Sequence, residues 1–121
     1  MINARSETLH EKPSFKNLLK HKRCLVLADG FYEWRTLSSR KKQPFRIKLK
    51  GDSLFAMAGL WDEWIDPSSG EAVRTFTIIT VPANPLIHEL HDRMPAILKP
   101  EDENKWIQHE IGQIEISETL A

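Results

Sequence analysis

The sequence predicts an α+β chain built on a strongly bent, mainly antiparallel β-sheet with a few short flanking helices. Three observations carry that prediction. Extended segments with period-two or continuous apolar character recur from Cys24 to Val81. Turn signals such as Asp29-Gly30 and the polar stretches Ser38–Lys42 and Asp66–Gly70 separate them and read as hairpin loops. Helical periodicity is confined to short flanking stretches. With 121 residues and 14.0 kDa, the expectation is one domain over 1–121.

The elements follow in order. Asn3-Ala4-Arg5-Ser6-Glu7-Thr8 is polar; it reads as an extended segment, or equally as a helix cap with Ser6 at its start. Pro13–His21 places Phe15, Leu18 and Leu19 on one helical face, with Pro13 or Ser14 as the start. Cys24–Ala28 is a short apolar strand and Phe31–Arg35 resumes after the turn. In Phe45–Lys50, Phe45, Ile47 and Leu49 alternate with cations, the pattern of a half-buried strand. Ser53–Trp61 is apolar on both faces and belongs centrally, and Val73–Val81, rich in Thr, Ile and Val, is the best strand. Asn84 as N-cap and Pro85 at the first helical position start a helix through about Leu90. Ala96–Leu98 is extended. Pro100 opens a helix with an acidic first turn that runs to about Glu110, with Gly112 as its end.

Several classes are excluded. The longest apolar run, Leu54–Trp61, has eight residues, far short of the roughly 20 that span a bilayer. A single cysteine, Cys24, excludes an internal disulfide and a cysteine-based zinc site. The first residues lack a basic patch followed by an apolar stretch, so no secretory signal is expected and the cytoplasm is the expected location. Net charge is zero but unevenly spread: residues 1–50 carry +9 and residues 51–121 carry −9. A basic half suggests a polyanion partner such as nucleic acid; on charge alone, two halves that fold together and neutralise each other are the favoured reading.

Four groups of residues could carry chemistry. Glu33, within Phe31-Tyr32-Glu33-Trp34, is a strand carboxylate among aromatics. In an apolar cavity its pKa would rise toward that of a general acid or base; at an edge it would be an ordinary solvated or paired side chain. His88-Glu89-Leu90-His91-Asp92-Arg93 concentrates titratable groups at a helix end. Two His three apart can ligate a metal, but no third ligand stands at usable spacing, so no metal is expected and proton transfer is the better use of His91. Arg93 reads as a phosphate ligand or as an ion-pair partner of Asp92 or Glu89. Asn3 and Arg5, two apart on an extended segment, point to one side and offer an amide and a planar fork for phosphate. Cys24, in an apolar strand, reads as core.

Together these segments resemble the SRAP family, the SOS response-associated peptidase or abasic-site processing proteins. The matching blocks are Asn3–Thr8, Arg23–Trp34, Phe55–Trp61, Phe76–Thr80 running on to Ile87, and His91–Leu98, in the family's order and within residues 2 to 107. The resemblance implies a barrel-like SRAP fold and action on abasic sites in single-stranded DNA during the DNA-damage (SOS) response, without a cofactor. It further implies nucleoid association when bound, self-processing peptidase and lyase chemistry, and a thiazolidine crosslink. By position it implies that Asn3 orients the nucleophile, Glu33 moves protons at the amine and sugar, and His91 assists ring opening. Arg5, Thr80 and Arg93 match DNA-binding positions. The family nucleophile is a cysteine following the initiator methionine, whereas Ile2 follows Met1 here. The expectation is therefore an SRAP domain lacking its amino-terminal segment, which associates through exposed sheet edges or with the missing piece. Three readings stay open: a fragment active when that piece is supplied in trans, a non-catalytic single-stranded DNA-binding remnant, and an inactive fragment.

Overall fold

A computed structural model describes residues 3–38, 40–108 and 112–120 of the chain. Its order is β1 (Asn3–Arg5), a 3₁₀ turn (Ser6–Thr8), α1 (Pro13–His21), β2 (Arg23–Ala28), β3 (Phe31–Ser38), β4 (Lys41–Ile47), β5 (Phe55–Ile65), β6 (Ala72–Pro82), α2 (Pro85–His88), β7 (Arg93–Pro95), β8 (Ile97–Leu98), α3 (Pro100–Ile107) and α4 (Gln113–Leu120). The larger sheet runs β1-β6-β5-β2, with β7 on β6 and β8 on β5, and is strongly curled; β3 and β4 form a separate hairpin. All described pairings are antiparallel except that of β1 with β6.

The curl has a visible cause. β5 and β6 pair from Gly59↔Ile78 to Ile65↔Ala72 and then part. The strand 93–98 fills the gap, with β7 on the end of β6 and β8 on the start of β5. Ala96 bridges both: its N–H donates to the Ile79 carbonyl at 2.9 Å and its carbonyl accepts from Ala58 at 2.8 Å.

Period-two alternation sorts the curled sheet into two faces. One face buries Ala4, Ala58, Leu60, Ile79, Ala96 and Leu98 with Leu19, Trp106 and Ile116 of the helices. The other presents Asn3 and Arg5, Ile78 and Thr80, Phe55, Met57 and Gly59, and Cys24. As expected for a central strand, β5 is buried on both faces from Phe55 to Leu60. Gly59 is required by close approach: a Cβ there would lie 2.9 Å from Val26 Cγ2, 3.1 Å from Cys24 Sγ and 3.3 Å from the Thr77 carbonyl oxygen.

Behind the helix-covered face sits a buried guanidinium. Arg23, opposite Leu60 on β2, donates to the Leu19 and Lys20 carbonyls at 2.6 and 2.9 Å and to Trp106 at 2.7 Å, and also to Gln108. It thus satisfies the carbonyl ends of α1 and α3, where the helix dipoles are negative. Burial pushes its pKa down, yet an arginine stays charged. Trp106 completes the clasp, its indole N–H donating to the Cys24 carbonyl at 2.9 Å.

Some boundaries differ from the sequence reading. β4 begins at Lys41, not Phe45, because Lys42 and Gln43 pair with Thr36 and Arg35 and extend the hairpin through its polar end. α2 stops at His88 instead of about Leu90, and α3 at Ile107 instead of about Glu110. Residues 109–111 lie outside the described residues. Gly112 does not simply end a helix: its carbonyl accepts from Ile116 in α4, an element the sequence reading lacked.

Candidate functional site

The site is built from the ends of β1, β6 and β7. Ala4 is buried in the core, so alternation turns its neighbours Asn3 and Arg5 to the opposite face, where both are exposed. The parallel register sets Asn3 beside Ile78 and Arg5 beside Thr80. The segment is therefore a strand followed by a 3₁₀ turn, not a helix cap.

The turn carries Glu7 back over β6. There it meets Arg93, 86 positions away, in a two-pronged ion pair: Nη1 to Oε2 at 2.5 Å and Nη2 to Oε1 at 2.8 Å. Arg93 Nη2 also donates to the Thr80 carbonyl at 2.8 Å and lies 3.2 Å from its hydroxyl. The Arg93 side chain is 13% exposed, and its Nε is buried with no partner among the described residues. This corrects the expectation that its acidic partner is Asp92 or Glu89; the turn brings a carboxylate with better fork geometry. The guanidinium holds the Glu7 carboxyl down at about 2, and Glu7 in turn raises Arg93.

His91 stands two residues before this clasp, half exposed. Its Nδ1 lies 3.0 Å from the Arg93 backbone nitrogen and 3.2 Å from the Arg93 carbonyl oxygen, so the Arg93 backbone holds this edge of the ring in either tautomer. Its Nδ1 is also 3.4 Å from Asp92 Oδ1. Among the described residues no group of three or more His, Cys, Asp or Glu could hold a metal ion.

Glu33 lies on the hairpin, half-buried. It shares a face with Phe31, Arg35 and its cross-strand partner Phe45. Phe31 meets Phe55 of β5 edge-on, ring centroids 6.4 Å apart. Arg35, Phe45 and Ile47 line a cavity of about 380 Å³ with Leu86, Ile87 and Leu90. The Glu33 face thus looks toward α2, the helix that leads to His91. No hydrogen bond or ion pair joins Glu33 to a described residue. The structure therefore brings Arg5, Thr80, Arg93 and His91 into one connected group with Asn3 on the same strand as Arg5, and carries Glu33 on the separate hairpin.

Cys24 is half-buried in β2, with burial raising its thiol pKa, which disfavours the reactive thiolate. Glu7 and Arg23 were not singled out from the sequence. Glu7 acts through Arg93, 86 positions away, and Arg23 joins the nearby Leu19 and Lys20 to the distant Trp106 and Gln108, so neither lies in a local motif that signals its role.

The whole chain, residues 1–121, matches the family model for the SOS response associated peptidase (SRAP). The chain belongs to the SRAP family. SRAP relatives include the abasic site processing protein YoqW of Bacillus subtilis, 53% identical over 107 residues that cover 88% of this chain and 47% of YoqW. The abasic site processing protein HMCES of Xenopus tropicalis is 39% identical over 137 residues, covering 98% of this chain and 40% of HMCES. This SRAP chain thus spans about half the length of the curated relatives it matches, or less. A crystal structure of a Bacteroides thetaiotaomicron protein superposes with a TM-score of 0.91 at 41% identity, over 98% of this chain and 52% of that one. At that similarity the curled SRAP sheet and its hairpin are the shared architecture.

Proposed function

We propose that this chain takes part in processing abasic sites in single-stranded DNA. The observation that carries the reading is the connected group Arg5–Thr80–Arg93–His91 at the open ends of β1, β6 and β7, in a chain whose relatives are named abasic site processing proteins. In this reading Arg5 meets a backbone phosphate, with Thr80 and Arg93 completing the strand-holding end. The hairpin adds a second feature: Tyr32, opposite Arg46, and Trp34, opposite Pro44, are exposed, with Lys42 one pair further along the same face. Interleaved aromatics and cations suit a single strand, whose bases stack while its phosphates are neutralised.

The chemistry follows from the aldehyde of the ring-opened sugar. An amine condenses with it to an imine and releases one water; a thiol then adds across the C=N bond and closes a thiazolidine with no leaving group. The first step needs a base at the amine and an acid at the departing oxygen. Glu33 and His91 are the proton-handling pair of this proposal, with Asn3 orienting the nucleophile. Lyase and self-processing peptidase chemistry would draw on the same groups. Cys24, half-buried mid-strand, is not the thiol; in this proposal the amine and thiol belong to the family's cysteine, supplied in trans on a separate segment.

Fluorescence anisotropy with two labelled oligonucleotides tests the proposal, one intact and one carrying a tetrahydrofuran abasic analogue. The abasic strand should bind more tightly, and Glu33→Gln with His91→Ala should remove that preference. Arg5→Ala should weaken both strands alike and flatten the plot of log K against log salt by about 0.7, one phosphate's worth. Equal affinity of the unaltered chain for both strands would overturn the reading.

A further inference from the structure

We infer that Glu7 is a positioning residue of this site: it fixes the Arg93 guanidinium against Thr80 and, through the Arg93 backbone, the orientation of the His91 ring. The inference rests on the function proposed above for the relevance of the site, but its geometry stands apart from it.

Four observations connect in series. Glu7 grips both terminal nitrogens of Arg93, so the fork is held in one plane. The same Nη2 is tied to Thr80, whose partner across the sheet is Arg5. Arg93 opens β7, opposite Pro82, and its backbone nitrogen and carbonyl oxygen both meet His91 Nδ1. The 3₁₀ turn bearing Glu7 directly follows β1, so the same ion pair also tethers the strand that carries Asn3 and Arg5. One carboxylate thus joins the three strand ends on which five of the six predicted site residues depend. Ser6 is the other side chain on that carboxylate, its hydroxyl donating at 2.8 Å.

Glu7 would also be an odd choice if it were only surface. A carboxylate beside a DNA-holding arginine repels phosphate, so plain electrostatics says that removing it should tighten binding. A positioning role predicts the reverse. Freeing a long, charged side chain means that it must be ordered again on binding, which costs affinity by about three- to tenfold.

Glu7→Gln keeps the shape and removes the charge. Two measurements on the full chain decide. The first is affinity for the tetrahydrofuran strand: a three- to tenfold loss is expected, and an unchanged or tighter Kd overturns the inference. The second needs no DNA. Nitrogen-15 spectra of the histidine side chains should show the His91 ring nitrogens shifted between the unaltered chain and the variant, because the Arg93 backbone that holds Nδ1 is released. An unchanged His91 signal overturns the inference. Arg93→Lys, which keeps the charge but loses the fork, should reproduce both effects and serves if Glu7→Gln folds poorly. Should the unaltered chain bind no single strand, the function proposal falls and the His91 spectrum alone decides the positioning role.

Discussion

Replacing Arg23 by methionine isolates what the buried guanidinium contributes to the fold. The stem volume is nearly kept, so the loss is mainly that of the donors. Two of the four carbonyls served, those of Leu19 and Trp106, are bonded in buried surroundings at 2.6 and 2.7 Å; those of Lys20 and Gln108 lie where water can replace the arginine. Hydrogen bonds to a charged donor are worth about 1.5–3 kcal/mol each, so the two buried ones sum to about 3–6 kcal/mol. Removing a buried charge recovers part of its desolvation, and about 2–3 kcal/mol of net destabilisation remains. At about 4 °C per kcal/mol for a domain of this size, the Tm should fall by about 8–12 °C. Urea unfolding followed by circular dichroism, with the m-value checked for constancy, measures the difference. Arg23→Lys keeps the charge but cannot span both helix ends, so it should recover about half. Below its Tm, Arg23→Met should bind single strands as the unaltered chain does, because the clasp lies behind the face that bears Asn3 and Arg5. A methionine variant within about 0.5 kcal/mol of the unaltered chain would refute the reasoning, and so would full rescue by lysine.

Acid should undo the Glu7–Arg93 pair. A carboxyl held at about 2 in place of 4.5 contributes stability that is present above about pH 5 and lost as pH falls toward 2; because Glu7 is half exposed, screening reduces the effect to about 1 kcal/mol. The stability gap between the unaltered chain and Glu7→Gln, read by urea unfolding, should therefore close between pH 5 and pH 2, and a gap that persists at pH 2 would show another cause. Gly59→Ala should cost about 1–3 kcal/mol, because the added methyl meets Val26, Cys24 and the Thr77 carbonyl within 3.3 Å; a neutral effect in the same urea assay would mean that the sheet gives way there.

What was readable in the sequence is what depends on neighbours in the chain. α1 starts at Pro13 as its proline and apolar spacing require. β6 spans Ala72–Pro82 around the run of β-branched residues, and Asn84 caps α2 by accepting from Ile87 at 2.9 Å. What was not readable depends on pairing across the chain. Lys41 and Lys42 look like loop residues until Ser38 and Thr36 lie opposite them. The parallel pairing of β1 with β6 joins positions some 75 apart, and only that pairing brings Glu7 to Arg93. A reader of the sequence looks for the partner of Arg93 among the acids beside it. For the candidate residues, local placement was legible: Asn3 and Arg5 do share a side, and His91 does sit just past a helix end.

Three arginines of this fold show how partners decide what one chemistry can do. Arg23 is spent on four carbonyls behind the sheet, and no ligand can reach it without unfolding two helix ends. Arg93 is spent on a carboxylate and a threonine. Its charge is largely neutralised by Glu7, so in the proposed function it would release little counterion and contribute mainly geometry. Arg5 is exposed and forms no ion pair among the described residues, so it can turn to a phosphate with no internal bond to break. The salt dependence of binding should therefore track Arg5, and the orientation of His91 should track Arg93 and Glu7. Charge for attraction and charge for shape are thus divided between two arginines that meet at Thr80, one as its strand partner and one as its hydrogen-bond donor. If the proposed function holds, that division would let the site hold a polyanion loosely while keeping the His91 ring in a fixed orientation.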